Sequence, residues 1–227
     1  METKRNRAAP RLFAWPMSGE DLAEFARIMR DGGMAIVPTD TVYGVAAAPG
    51  NEAALARIVA AKGRDPSKPC QLLAASAEAA AAAGIPFPPP AAAAARAFWP
   101  GALTLVLDLP DGGTEGVRVP DHACARALCE AAGGLLRCTS ANRSGEPPAS
   151  TARDALAALP SADAVVDAGP APGGVASTVA AVRADGSVRV FREGPVPADA
   201  LRRVAARATA PEAGVGVASA GCAAPIS

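Results

Sequence analysis

The chain has 227 residues, half of them hydrophobic, which suffices for the core of one α/β domain and leaves little room for two. Lys plus Arg and Asp plus Glu each number 22, a formal charge of zero that argues against a dominant polyanion-binding surface. Five cysteines at irregular positions (70, 124, 129, 138 and 222) and a lone histidine, His122, exclude a paired disulfide framework and leave a zinc site little to build on. Reduced, buried or half-buried thiols in a cytoplasmic chain are the expectation.

Residues 1–15 are basic and lack an apolar leader, so they are expected to form a flexible arm. No stretch approaches the roughly 20 apolar residues of a membrane span. Ser18 followed by Asp21 reads as a capping box, and Leu22, Phe25, Ile28 and Met29 give a helical stripe that Gly32-Gly33 stops. A buried strand over 34–37 breaks at Pro38 into a hydroxyl-bearing loop, Thr39-Asp40-Thr41-Val42-Tyr43-Gly44. Asn51 caps a second helix with Leu55, Ile58 and Val59 facing inward, and Lys62-Gly63-Arg64-Asp65-Pro66-Ser67-Lys68-Pro69 ends it.

A strand over 71–74 follows, then an alanine-rich helix capped by Ser76 and a proline-rich linker over 85–90. A helix over 91–98 leads to a strand over 102–109 and, across Pro110-Asp111-Gly112-Gly113, to a partner at 116–119. Next come a helix over 121–132, a strand over 135–139 and a small-residue loop over 140–145. The last third reads as a helix over 152–159, a strand over 164–167, a Gly/Pro loop over 169–174, a hairpin of 177–182 with 187–191, and a helix over 198–208. Residues 16–208 form the domain, and 209–227, rich in Ala and Gly, are expected to be disordered. The order of elements points to an α/β fold.

Two readings of the basic cluster are open. Cations at a helix C-terminus are favoured by the macrodipole alone. Two prolines bracing the backbone between Lys62, Arg64 and Lys68 fit a site for phosphate or carboxylate better. Thr39 and Thr41 can be turn residues, Tyr43 a core aromatic, and the 140–145 loop a simple turn. Arg118, between Val117 and Val119, is either an outward-facing strand arginine or a clamp for an anion.

The loop 38–44 followed by 62–69 resembles the YrdC-like family of threonylcarbamoyl-AMP synthases. Further blocks agree in order: Phe98-Trp99-Pro100-Gly101-Ala102-Leu103-Thr104-Leu105-Val106, Val117-Arg118-Val119-Pro120-Asp121-His122, Thr139-Ser140-Ala141-Asn142-Arg143-Ser144-Gly145, Ser177-Thr178-Val179 and Val190-Phe191-Arg192-Glu193-Gly194. The similarity spans residues 17–204 and is to the short, single-domain bacterial form.

It implies an open, twisted, mixed α/β sheet covered by helices, with a concave basic face. It also implies an enzyme that makes threonylcarbamoyl-AMP and pyrophosphate from L-threonine, bicarbonate and ATP, for N6-threonylcarbamoyladenosine in tRNA. By this resemblance Thr39, Arg118, Ser140 and Ser177 hold threonine. Arg64, Lys68, Thr114, Asn142, Ser150 and Arg192 hold ATP. Lys62 and Arg64 are the catalytic cations, Lys62 neutralising phosphate or bicarbonate, and neither is expected to matter for stability. Mg²⁺ enters with ATP, no protein metal site is expected, and tRNA-modification proteins are the implied partners. Leu73 stands where some longer relatives have a polar threonine-contacting residue, so this sequence departs from the pattern at that contact. A carbamoyl-adenylate-forming relative and an RNA-binding module, its concave face cradling a duplex, are the alternatives.

Overall fold

Local capping chemistry starts the helices where the sequence places it. In the computed structural model, which describes residues 9–209, Asp21 N–H donates to the Ser18 hydroxyl at 3.1 Å and Ser18 N–H donates back to the Asp21 carboxylate, opening α1 (Gly19–Arg30). Asn51 Oδ1 accepts from Ala54 N–H to open α2 (Glu52–Lys62), which Gly63 closes in the left-handed conformation. Ser76 caps α3 (Ala77–Ala82), and Thr151 caps α6 (Ala152–Ala158). Two prolines of the expected linker instead form the first turn of α4 (Pro89–Phe98), where a missing N–H costs nothing. The remaining helices are α5 (Ala123–Ala131) and α7 (Ala198–Thr209). Among the described residues, no helix is long and apolar enough to cross a membrane.

The strands are β1 (Arg11–Ala14), β2 (Ala35–Val37), β3 (Gly44–Ala47), β4 (Gln71–Ala74), β5 (Leu103–Asp108), β6 (Thr114–Arg118), β7 (Leu135–Ser140), β8 (Ala164–Asp167), β9 (Thr178–Val182) and β10 (Val188–Arg192). They form one mixed sheet of ten strands in the order β1-β8-β2-β3-β7-β4-β6-β5-β9-β10. Two of them correct the sequence reading. Arg11–Ala14 is not part of a flexible arm: it pairs parallel with β8, and Phe13 is buried edge-on against Phe25. The strand β3 lies at the centre of the sheet, between β2 and β7. Residues 1–8 and 210–227, including nearly all of the expected disordered tail, lie outside the described residues.

Cross-strand rows show how the two faces differ. Ala47, Arg137, Leu72 and Val117 lie in one row, on the face where α2 and α6 cover one half and α4 and α7 the other. The next row, Ala46, Cys138 and Gln71, lies on the opposite face. There α1 and α5 bury Phe25, Met29 and Leu128 against Ala46, Leu73 and Leu136. They stop at β4. Beyond it β6, β5 and β9 turn Gly116, Thr104, Val106 and Val179 toward an open hollow.

Gly44 shows how tightly the sheet closes beside that hollow. A Cβ at Gly44 would sit 2.4 Å from Cys138 Sγ and 3.3 Å from Thr139 O. Gly44→Ala is expected to lower stability by about 1–3 kcal/mol through overpacking, and Gly44→Ala combined with Cys138→Ala to recover most of it. Paired thermal melts check this; equal losses in both variants would show that the clash is with backbone.

Candidate active site

The hollow is a cavity of about 290 Å³ whose wall includes three guanidinium groups, Arg64, Arg118 and Arg192. Each is delivered by a different device. The loop between β2 and β3 supplies the first. Thr39, buried, closes that loop on itself: its Oγ1 donates to Val42 O at 2.6 Å and accepts from the N–H groups of Thr41 and Val42 at 3.2 Å.

With the turn fixed, Asp40 and Thr41 face Arg118 at the end of β6. Arg118 is only 3% exposed and donates to Asp40 Oδ1 at 2.5 Å, Thr41 Oγ1 at 2.8 Å and Gly101 O at 3.0 Å. Period-two alternation does turn it from its flanking valines, into the cavity wall rather than out to solvent. Thr39, expected to touch a ligand, does not line the cavity; Thr41 does. The buried Tyr43 anchors the other side of the loop, its hydroxyl donating to Gly169 O at 2.6 Å and accepting from Ala168 N–H.

The exit of α2 corrects a second expectation. Lys62 is not at the exposed helix end but 3% exposed, and its ammonium donates to Ser140 O at 2.5 Å, Asn142 O at 2.6 Å and Asn142 Oδ1 at 3.3 Å. Ser144 N–H returns a bond to Lys62 O at 2.8 Å. Burial, followed by the neighbouring Arg64 charge, lowers the Lys62 pKa to about 8. Lys62 thus ties α2 to the loop after β7, and Asn142, whose amide donates to Arg143 O and Glu146 O, completes the knot. Neither lines the cavity; Ser140, which they hold, does.

Arg64 turns back on its own Pro-braced loop. It donates to Lys68 O and Pro69 O, and from Nη1 to Thr139 Oγ1 at 3.3 Å. Lys68 and Ser150 are exposed and outside the cavity wall; Thr114 is exposed on it.

Arg192 arrives through a bulge. Val190 lies opposite Ala180, but it is Arg192, not Phe191, that lies opposite Val179, so one extra residue moves the arginine onto the cavity face. Arg192 donates to Ser177 O at 3.0 Å and Ser177 Oγ at 3.1 Å. Its pKa is lowered by desolvation first and then by Arg118 and Arg64, so three cations share one space. Of the three, only Arg118 has a carboxylate partner among the described residues.

Sequence reasoning missed the cavity floor, Gln71 and Thr104. The signal was present: Thr104 interrupts Leu103-Leu105-Leu107 and Gln71 opens an otherwise apolar strand. Leu73, read as a lost ligand contact, lies on the same face two residues past Gln71, buried beneath α5 as core.

Of the four thiols described, only that of Cys138 borders the cavity. Cys124, Cys129 and Cys138 are buried and Cys70 half-buried. Burial raises the thiol pKa of Cys124 and Cys138 to about 12 and pushes those of Cys129 and Cys70 upward. Replacing Cys70, Cys124, Cys129 and Cys138 one at a time by Ala is expected to leave turnover within a few-fold while buried positions lose stability. A folded single variant with no turnover would overturn that. His122 accepts from Ala125 N–H through Nδ1 and caps α5.

Residues 27–194 match the model of the Sua5/YciO/YrdC domain, described as "Telomere recombination". The chain belongs to this family. It is 35% identical over 161 residues to the threonylcarbamoyl-AMP synthase of Chromohalobacter salexigens, covering 66% of this chain and 86% of that one. Over 135 residues it is 38% identical to the enzyme of the same name from Nitrosococcus oceani, covering 56% and 73%. Among solved structures, P. abyssi Sua5 complexed with L-threonine superposes with a TM-score of 0.77 at 29% identity. The match covers 87% of this chain and 61% of that longer protein. The expected mixed, helix-covered sheet is therefore the family's fold.

Proposed function

We infer that this protein is a threonylcarbamoyl-AMP synthase, joining L-threonine, bicarbonate and ATP into threonylcarbamoyl-AMP with release of pyrophosphate. The observation that carries it is the cavity of three guanidiniums, two of them without a carboxylate among the described residues. Such a site is built for anions that repel one another. The names of the relatives and the L-threonine bound to P. abyssi Sua5 support the particular anions.

No protein nucleophile is required. The threonine amine takes up CO2 with loss of a proton, or bicarbonate with loss of water, to give a carbamate; a carbamate oxygen then attacks the α-phosphorus of ATP, and the bond to pyrophosphate breaks. The protein's part is to align charged groups and offset their repulsion with cations that are already oriented. Arg118, held by Asp40, Thr41 and Gly101, takes the threonine carboxylate, and Ser140 and Ser177 contact the rest of the amino acid. Arg64, Arg192 and Thr114 take the phosphates. Lys62 and Asn142 act as positioning residues for Ser140, and Thr39 for Thr41. Lys68 and Ser150 keep a nucleotide role only for a ligand reaching past the rim.

Among the described residues, no group of three or more His, Cys, Asp or Glu could hold a metal ion, and the Asp40 carboxylate is engaged by Arg118. These residues fit magnesium entering on the triphosphate, where it would neutralise phosphate charge. The product would serve N6-threonylcarbamoylation of tRNA adenosine in the cytoplasm, passed to the tRNA-modification machinery, with an RNA contact on the concave face.

The test is pyrophosphate release with each substrate omitted in turn, and with carbamoyl phosphate offered in place of bicarbonate. Release is expected only when threonine, bicarbonate and ATP are all present, with threonylcarbamoyl-AMP detected by mass. Release without threonine, or turnover of carbamoyl phosphate instead, would overturn the reading.

A further inference from the structure

Gln71 and Thr104 belong to β4 and β5, which are not neighbours, because β6 runs between them. Adjacent strands lie about 4.8 Å apart, so side chains two strands apart meet only across a gap. Residue 116 of β6 is that gap. A Cβ on Gly116 would lie 3.5 Å from Gln71 Cβ and 3.6 Å from Thr104 Cγ2. Over it, the Thr104 hydroxyl donates to Gln71 Oε1 at 2.8 Å.

That one bond sets the polarity of everything beside it. A hydroxyl has a single proton, so the 2.9 Å contact between Thr104 and Ser177 must have Ser177 as donor. Ser177 Oγ in turn accepts from Arg192 Nη2 at 3.1 Å. The chain runs one way, from Arg192 through Ser177 and Thr104 to Gln71. Ser177 has spent its proton and offers the cavity a lone pair only. Gln71 Nε2, whose two N–H groups have no partner among the described residues, offers donors only.

We propose that Gln71 is a substrate-binding residue that sets the orientation of the amino acid on the cavity floor. Its Oε1 commits Ser177 to accept an N–H of the substrate amine, and its Nε2 donates to a substrate oxygen, carboxylate or side-chain hydroxyl. The proposal rests on the cavity taking an amino acid, as inferred above. An apolar residue at position 71 frees the Thr104 proton, lets the chain reverse, and removes the donor at the same time.

Calorimetric titration of the full chain with L-threonine, L-valine and ATP tests this, alongside the thermal midpoint of the ligand-free protein. Gln71→Met, close in volume and without donor or strong acceptor, is expected to weaken threonine binding about tenfold or more. ATP affinity and the midpoint stay near wild type. If the preference for threonine over valine collapses, Gln71 holds the hydroxyl; if both ligands weaken together, it holds the carboxylate.

Gln71→Glu keeps the Oε1 acceptor but faces the substrate with a carboxylate. Its threonine affinity is expected to be at least as low as that of Gln71→Met, because a carboxylate has no N–H to donate and stays ionised beside three guanidiniums. Wild-type threonine affinity in Gln71→Met or in Gln71→Glu would overturn the proposal. A wild-type protein that binds no threonine would defeat the functional reading itself.

Discussion

Lys62→Ala is expected to lower the thermal midpoint by about 5–15 °C and to remove activity with it. The ammonium is the donor to three oxygens, Ser140 O, Asn142 O and Asn142 Oδ1, in a place water does not reach freely. A buried acceptor left without a partner costs about 1–3 kcal/mol. Relaxation of the loop recovers part, so about 2–4 kcal/mol is lost, worth roughly 2–4 °C per kcal/mol in a domain of this size. Lys62→Met separates the causes, since it keeps the aliphatic stem and loses only the donor. If the ammonium is the knot, Met is nearly as damaging as Ala; if stem packing matters more, Met is nearly harmless. An unchanged midpoint in both, with activity lost, would return Lys62 to the role of a catalytic cation.

The second large effect concerns Arg118 and Asp40, with side chains 3% and 12% exposed. Arg118→Ala strands a carboxylate in a nearly dry pocket, and breaking such a pair from one side costs about 3–5 kcal/mol. Removing both charges avoids that penalty. The double variant Arg118→Ala with Asp40→Ala should therefore be more stable than Arg118→Ala alone, although both lose the oriented guanidinium of the cavity wall. Pyrophosphate release should fall on the order of 10²-fold or more in each, by comparison with the loss of one oriented donor. Arg118→Lys should rescue little, since an ammonium cannot serve Asp40, Thr41 and Gly101 in one plane. A double variant no more stable than the single would mean that Asp40 finds water or another donor.

How far the residues alone reveal this molecule depends on how local the cause is. Caps act over three or four residues, so the starts of α1, α2 and α3 were legible at Ser18, Asn51 and Ser76. Strands β4 and β8 were legible because apolar runs ended in clear breaks. The strands that escaped, Arg11–Ala14 and Gly44–Ala47, are short, and one is composed of small residues with no alternation to read.

The site divides in the same way. Thr39 and Thr41 are the same residue two places apart, and which hydroxyl closes the turn and which faces Arg118 depends on β6, 77 residues beyond Thr41. Lys62 looked like a solvated helix end because its acceptors come from residues 140–142, nearly 80 positions on. Gln71 and Leu73 share a strand face, and only the place where α5 stops makes one a cavity floor and the other core.

The bulge at Phe191 reaches beyond the cavity. Among the described residues β10 is the outermost strand of the sheet, and an outermost strand carries a ladder that another chain can extend. A regular β10 would offer such a template along its whole length. The extra residue breaks its register, and the Arg189 guanidinium lies over the Phe191 ring at 5.0 Å, placing bulk and charge along that border. The kink that turns Arg192 onto the cavity face therefore also interrupts the template along the sheet's outer border.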